Sequence, residues 1–237
     1  MSRTALVTGA SKGLGYQTVR LLGERGITAI VGARDEERGR SAARELGAPF
    51  VQIDVTDPVS VEAAAKWIEH EYETLDILVN NAGITVPHQD GLPSMATLAD
   101  LRRVFETNVF GVVAVTTAML PMLLRSEAGR IVNVSSDLGS MTRGLVPGTP
   151  QWAQNNLPYS ASKAALNMVT VAFAKELWDT PVKVNAESPG FCATDINNFT
   201  GFRTAEQGAQ VAVRLATLPA GGPTGGFFDA DGEPIPW

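Results

Sequence analysis

With 237 residues, 44% of them hydrophobic, the chain is long enough for one well-buried α/β domain spanning residues 1–237 and short for two. A formal charge of -6 argues against nucleic acid as a partner, because phosphate binding needs a concentrated basic face. Cys192 is the only cysteine, which excludes an internal disulfide and a cysteine-rich metal site and suits a reducing cytoplasm.

The opening Met1-Ser2-Arg3 runs into an expected strand over 5–8 without the charged and then apolar segments of a secretory signal. Thr8-Gly9-Ala10-Ser11-Lys12-Gly13-Leu14-Gly15 follows, between that strand and a helical pattern. Gly9, Gly13 and Gly15 allow the backbone to turn tightly and approach a pyrophosphate at the helix N-terminus, with Ser11, Lys12 and Leu14 in the same loop. A second strand over 28–33 ends in Gly32-Ala33-Arg34, where dinucleotide folds choose between a ribose 2'-hydroxyl and a 2'-phosphate. Ala33 cannot accept from a hydroxyl, whereas the planar fork of Arg34 can grip a phosphate and Lys12 can add a second charge. The pattern therefore reads NADPH/NADP+ in preference to NADH.

A third strand is expected over 50–55, where Asp54 could accept from an adenine amino group and Val55 could offer backbone contacts. Asp57 before Pro58 marks a helix start. The fourth strand, 77–80, leads into Asn80-Asn81-Ala82-Gly83, whose small residues permit close approach of a ligand at the sheet edge. The apolar tract 109–124 contains Thr116, Thr117 and Pro121 and reads as a buried helix, so no membrane association is expected. His70 and His88 are too isolated for a metal site, and none is expected.

A fifth strand over 131–135 delivers Ser135-Ser136, and the segment 137–157 lacks a steady period and reads as a long functional loop. Next comes Tyr159-Ser160-Ala161-Ser162-Lys163. A tyrosine and a lysine four apart share a helix face, and a nearby ammonium favours the phenolate. Strands over 183–188 and 226–228 complete the series, with Thr204 and Gln207 in capping-box spacing between them. Strand and helix patterns alternate throughout, which predicts an α/β fold: a doubly wound (Rossmann) seven-stranded parallel sheet with helices on both faces. The combined motifs point to a nicotinamide-dependent carbonyl reductase.

In order and over essentially the whole chain these residues resemble the short-chain dehydrogenase/reductase family in its compact single-domain form. The match rests on 8–15, Asp54, 80–83, Asn108, Ser136, Tyr159, Lys163, Pro189-Gly190 and Thr194. The ending from Gly222 to Trp237 is similar to the NADPH-dependent carbonyl reductases of that family, not to its acyl-carrier-protein reductases. The resemblance implies that Tyr159 donates a proton to a carbonyl oxygen held by Ser136, while hydride arrives from the nicotinamide. It further implies that Lys163 lowers the tyrosine pKa and holds the nicotinamide ribose. Asn108 would fix a water linking Lys163 to solvent, and Thr194 would meet the carboxamide.

Two departures stand out: a longer interval from Ser136 to Tyr159 than in most members, and Glu187 before Ser188-Pro189-Gly190, where an uncharged residue is usual. The first resembles carbonyl reductases whose insertion covers the helix-pair interface, which leaves monomer and small homo-oligomer both open. Leu138, Met141 and Trp152 on one excursion, with Phe191, Ile196, Phe199 and Phe202 on the other, are expected to wall an apolar pocket for a small-molecule carbonyl. Two alternatives stand beside a general carbonyl reductase. One is a biosynthetic alcohol dehydrogenase or ketoreductase acting on one metabolite, and the other a non-catalytic NADP-binding regulatory protein.

Overall fold

The strand-to-helix alternation builds a seven-stranded parallel sheet in the computed structural model, which describes residues 3–86 and 92–237. His88 lies outside them. In chain order the elements are β1 (Thr4–Thr8), α1 (Gly13–Gly23), β2 (Thr28–Ala33), α2 (Glu36–Leu46), β3 (Phe50–Gln52), α3 (Pro58–Tyr72) and β4 (Ile77–Asn80). There follow α4 (Leu98–Phe105), α5 (Gly111–Leu124), β5 (Arg130–Val134), α6 (Met141–Gly144), α7 (Pro150–Ala153), α8 (Leu157–Glu176), β6 (Lys183–Glu187), α9 (Ala205–Ala216) and β7 (Phe227–Phe228). The strands lie in the order β3-β2-β1-β4-β5-β6-β7, so the winding reverses between β1 and β4 and opens a crevice at their carboxyl ends.

Both faces of the sheet are covered, and successive strand residues serve opposite cores. Val7, Val31, Val79 and Val132 pack with α1 and α9, while their neighbours Leu6, Ile30, Leu78 and Ile131 pack with α3 and α5. Helix starts follow their caps: Asp57 accepts from Val59 N at 3.0 Å, and Thr204 and Gln207 bond reciprocally.

Three features differ from expectation or refine it. The strand expected over 50–55 stops at Gln52, because Ile53 N makes the last bond to β2, to Ala33 O at 3.0 Å, and Asp54 N then turns to Ser60 Oγ at 2.9 Å. The tract 109–124 belongs to one 27-residue helix, 98–124, interrupted by a π-turn at Glu106–Phe110. Its length and composition would suit a membrane span, yet half of its apolar window is buried, with Val115, Met119 and Leu123 packed under the sheet. The loop 137–157 is built largely of helical turns. Ser140 caps α6 through Arg143 N, and Thr149 caps α7 through Trp152 N with Pro150 at the first position.

Candidate active site

The glycine loop forms a backbone cradle. Gly9 has φ of +65°, and a Cβ there would stand 2.9 Å from Ala82 Cα. A Cβ on Gly15 would overlap Asn81 Nδ2. Asn81 Nδ2 donates to Thr8 O at 2.8 Å and to Gly9 O at 3.2 Å, while Thr8 Oγ1 accepts from the amides of Asn81 and Ala82, both at 3.1 Å. The stretch 81–83 is thereby stitched to the cradle. In the sequence Thr8 reads as part of the glycine motif, but the role of its hydroxyl in holding the 81–83 turn does not. Lys12, the N-cap of α1, provides no side-chain cap, so the first-turn amides face the cradle as an anion site and fit a pyrophosphate.

Thr194, nearly buried, lies against Gly13, its methyl 3.7 Å from where a Cβ would stand, and brings the segment after Pro189-Gly190 to the cradle. Lys12 pairs with Asp195 at 2.9 Å. Arg34 is exposed, 3.9 Å from Asp54, while Asp35 is taken by Arg38 at 2.8 Å and caps α2. The Arg34 guanidinium is therefore not tied to Asp35. Asp54 Oδ1 is occupied by Thr56, accepting from its N at 3.0 Å and its Oγ1 at 2.7 Å. Val55 packs against Gly111 of α5. Arg34, Asp54, Asp57 and Ser60 edge a groove of about 520 Å³ beside β3.

The second half of the site stands on β5 and α8. Ser136 follows β5, its Oγ accepting from Leu138 N at 3.2 Å. Asn156 caps α8 by accepting from Tyr159 N at 3.2 Å, which fixes the first turn where the tyrosine stands. Lys163 is buried and donates to Val134 O at 2.7 Å, its Nζ 5.5 Å from the Tyr159 ring centre. Asn108 lies fully buried inside the π-turn. Its Oδ1 accepts from Ile84 N at 2.8 Å, and its Nδ2 donates to Ile84 O at 2.9 Å and Ser162 Oγ at 3.0 Å. Asn108 thus ties the chain beyond Gly83 to α8, and a Cβ on Gly83 would stand 3.6 Å from Lys163 Nζ.

Burial dominates the electrostatics of the Tyr159-Lys163 pair. Burial pushes the Tyr159 phenol up to about 12; a hydrogen bond with Ser136 pulls it down, and Asp137 and Glu187 push it further up. The Lys163 ammonium is pulled down by burial to about 8, against the favourable field of Glu187. Glu187 is also buried, and desolvation raises its carboxyl well above the usual range, against the pull of Lys163.

Of the expected pocket residues, Phe191 and Phe202 meet with ring centres 6.1 Å apart. Leu138 is half-buried, and Met141, Trp152, Phe191, Ile196, Phe199 and Phe202 are exposed. Gln151 Nε2 donates to Asp137 Oδ2 at 2.6 Å and holds α7 beside the residue after Ser136.

The model of the short chain dehydrogenase family matches residues 3–204. The chain belongs to that family. Among its relatives, a short-chain dehydrogenase of Penicillium roqueforti is 38% identical over 224 residues, covering 90% of this chain and 87% of the relative. The (-)-isopiperitenone reductase of Mentha piperita is 33% identical, covering 98% of this chain and 97% of its own. That alignment runs over 307 positions, more than this chain's 237 residues, so the mint reductase carries insertions that this short-chain dehydrogenase lacks. Among solved structures, the NADPH-bound carbonyl reductase from chicken fatty liver superposes with a TM-score of 0.86 at 27% identity, covering 100% of this chain and 99% of that one.

Proposed function

We propose that this oxidoreductase is an NADPH-dependent carbonyl reductase that converts a ketone or aldehyde to an alcohol, working as one NADP(H)-binding domain in the cytoplasm. The observation that carries the reading is the convergence of Ser136, Tyr159 and Lys163 beside the 81–83 turn and an uncapped glycine cradle. A bound NADPH would supply the hydride. The first-turn amides of α1 would hold its pyrophosphate, Arg34 and Lys12 its 2'-phosphate, and Thr194 its carboxamide side.

Ser136 would hold the carbonyl oxygen while Tyr159 gives it a proton. A phenol pushed up to about 12 is protonated at neutral pH, which is the form that a donor in the reductive direction needs. The reductase names among relatives, and the NADPH in the chicken structure, support the same direction and cofactor. The test is NADPH oxidation screened against ketones, aldehydes and quinones, with Tyr159→Phe as control. A chain that binds NADPH yet reduces nothing across that panel would count against the reading.

A further inference from the structure

Glu187 is the acid that the proposed chemistry leaves unused. It ends β6, only 1% exposed, and its Oε2 has no hydrogen-bond partner among the described residues. Its backbone is locked: Ser135 N donates to Glu187 O at 2.7 Å, and Ser188 N to Phe228 O at 2.8 Å. The opposing residue on β5 is Val134, whose carbonyl takes the Lys163 ammonium. No ion pair to Glu187 forms among the described residues, although its charge is felt at Tyr159, Lys163 and Cys192. A carboxylate buried without a fixed partner is costly, and such a group stays neutral until a cation arrives.

The groups facing Glu187 narrow what that cation can be. From α8 come Lys163, committed to Val134 O, and Tyr159. From the segment after β6 come Cys192, donating to Pro189 O at 3.2 Å, and Arg203, paired with Asp231 at 3.1 Å. After β5 stands Asp137, bonded to Gln151, and after β7 stands Asp229, which accepts from the amides of Asp231 and Glu233 in its own turn. Lys163 acts on the acid through its field without a direct ion pair, Arg203 is paired with Asp231, and the acid sits between the catalytic helix and the strand end that leads to Pro189-Gly190 and Thr194.

We propose that Glu187 is the internal counter-charge for an oxidised nicotinamide ring: a neutral acid in the free protein that releases its proton to solvent when the cationic ring docks beside Tyr159 and Lys163. This rests on the nicotinamide reading above. A reduced ring is uncharged and would leave the acid protonated. Glu187 thus favours the cofactor form produced by carbonyl reduction and, in that direction, stabilises the positive charge that the ring acquires as hydride leaves.

The experiment titrates the full chain and Glu187→Gln with NADP+ and with NADPH, in weakly buffered solution containing a pH indicator, and measures both Kd values. The two cofactors share the 2'-phosphate, so its own titration cancels in their ratio. In the wild type, NADP+ should release up to about one proton more than NADPH, and its relative affinity should rise with pH. In Glu187→Gln that excess should vanish and the ratio of Kd for NADP+ to Kd for NADPH should rise about tenfold, the order expected for losing one counter-charge from a partly buried site. Glu187→Val gives the same comparison should the amide variant fold poorly, and it is the difference from wild type that separates Glu187 from Lys163, which also titrates in this window. A wild-type Kd ratio that is flat between about pH 6 and pH 9, or unchanged proton release in the variants, overturns the role of Glu187 alone. Failure of the wild type to bind either dinucleotide overturns the nicotinamide reading as well.

Discussion

Lys163 Nζ lies 5.5 Å from the centre of the Tyr159 ring, while its hydrogen bond goes to the Val134 carbonyl at 2.7 Å. The ammonium therefore meets the tyrosine at its π face, while desolvation of the half-buried phenol raises its pKa. The outcome is a tyrosine that holds its proton firmly at neutral pH.

Removing that hydroxyl separates chemistry from binding. Tyr159→Phe should bind NADPH nearly normally and lose at least about a hundredfold in kcat, the effect of deleting a positioned acid. Single-turnover rates alongside NADPH binding check this; a variant keeping more than a tenth of wild-type kcat would exclude Tyr159 as donor.

Glu187 makes a stability prediction that needs no cofactor. Its folded-state pKa lies above its unfolded value of 4.5, so the native state holds the proton more tightly. The stability it contributes is complete below that value and is lost as pH rises toward the folded pKa. Glu187→Gln should therefore gain in Tm on the wild type as pH rises from about 4.5 toward 7. Lys163, pulled down to about 8, acts with the opposite sign at higher pH, so the comparison belongs below that window. Thermal melts of both proteins at the two pH values decide it; a Tm difference that does not grow with pH would mean that Glu187 ionises normally.

Much of the frame was legible because each strand is a short apolar run closed by a turn, as in Ala5-Leu6-Val7 before Thr8-Gly9. What escaped depended on partners distant in sequence. The end of β3 is set by where Ala33 stops offering a carbonyl, and the turn after it by Ser60. The π-turn around Asn108 is fixed by bonds to Ile84 and Ser162. The Tyr159-Lys163 spacing read correctly as one helix face, but the burial of Lys163 and the presence of Glu187 beside the pair are not encoded in spacing. The caps at Ser140 and Thr149 lie inside a stretch that reads in sequence only as a loop without a steady period.

At the cofactor end, Arg34 is exposed and only 3.9 Å from Asp54 at its closest, free to turn onto a phosphate. Arg34→Ala should weaken NADPH by roughly 1.5–3 kcal/mol, the range of a charged hydrogen bond, and leave NADH almost unchanged. Fluorescence titration with both cofactors measures it. Equal losses, or a wild-type preference for NADH, would show that Arg34 does not read the phosphate.

Two exposed aromatic residues offer a test of specificity without a penalty in folding. Trp152 is 52% exposed on α7, which Gln151 anchors to Asp137, and Phe202 is 80% exposed against Phe191. Both segments leave carboxyl ends of strands, the first after Ser136 and the second after Pro189-Gly190, which is the side where sheets of this kind bind ligands. Side chains this exposed contribute little to the core, and Trp152→Ala and Phe202→Ala should keep the wild-type Tm within a degree or two, roughly what ±0.5 kcal/mol allows. Removing an apolar group from a substrate wall typically shifts specificity by about 1–3 kcal/mol, so kcat/KM for a bulky ketone should fall relative to a small one by roughly tenfold or more. The measurement is that ratio for one small and one bulky ketone in all three proteins. A ratio that stays constant in both variants would remove these residues from the pocket wall and leave 141–157 as a cover over the neighbouring helix face.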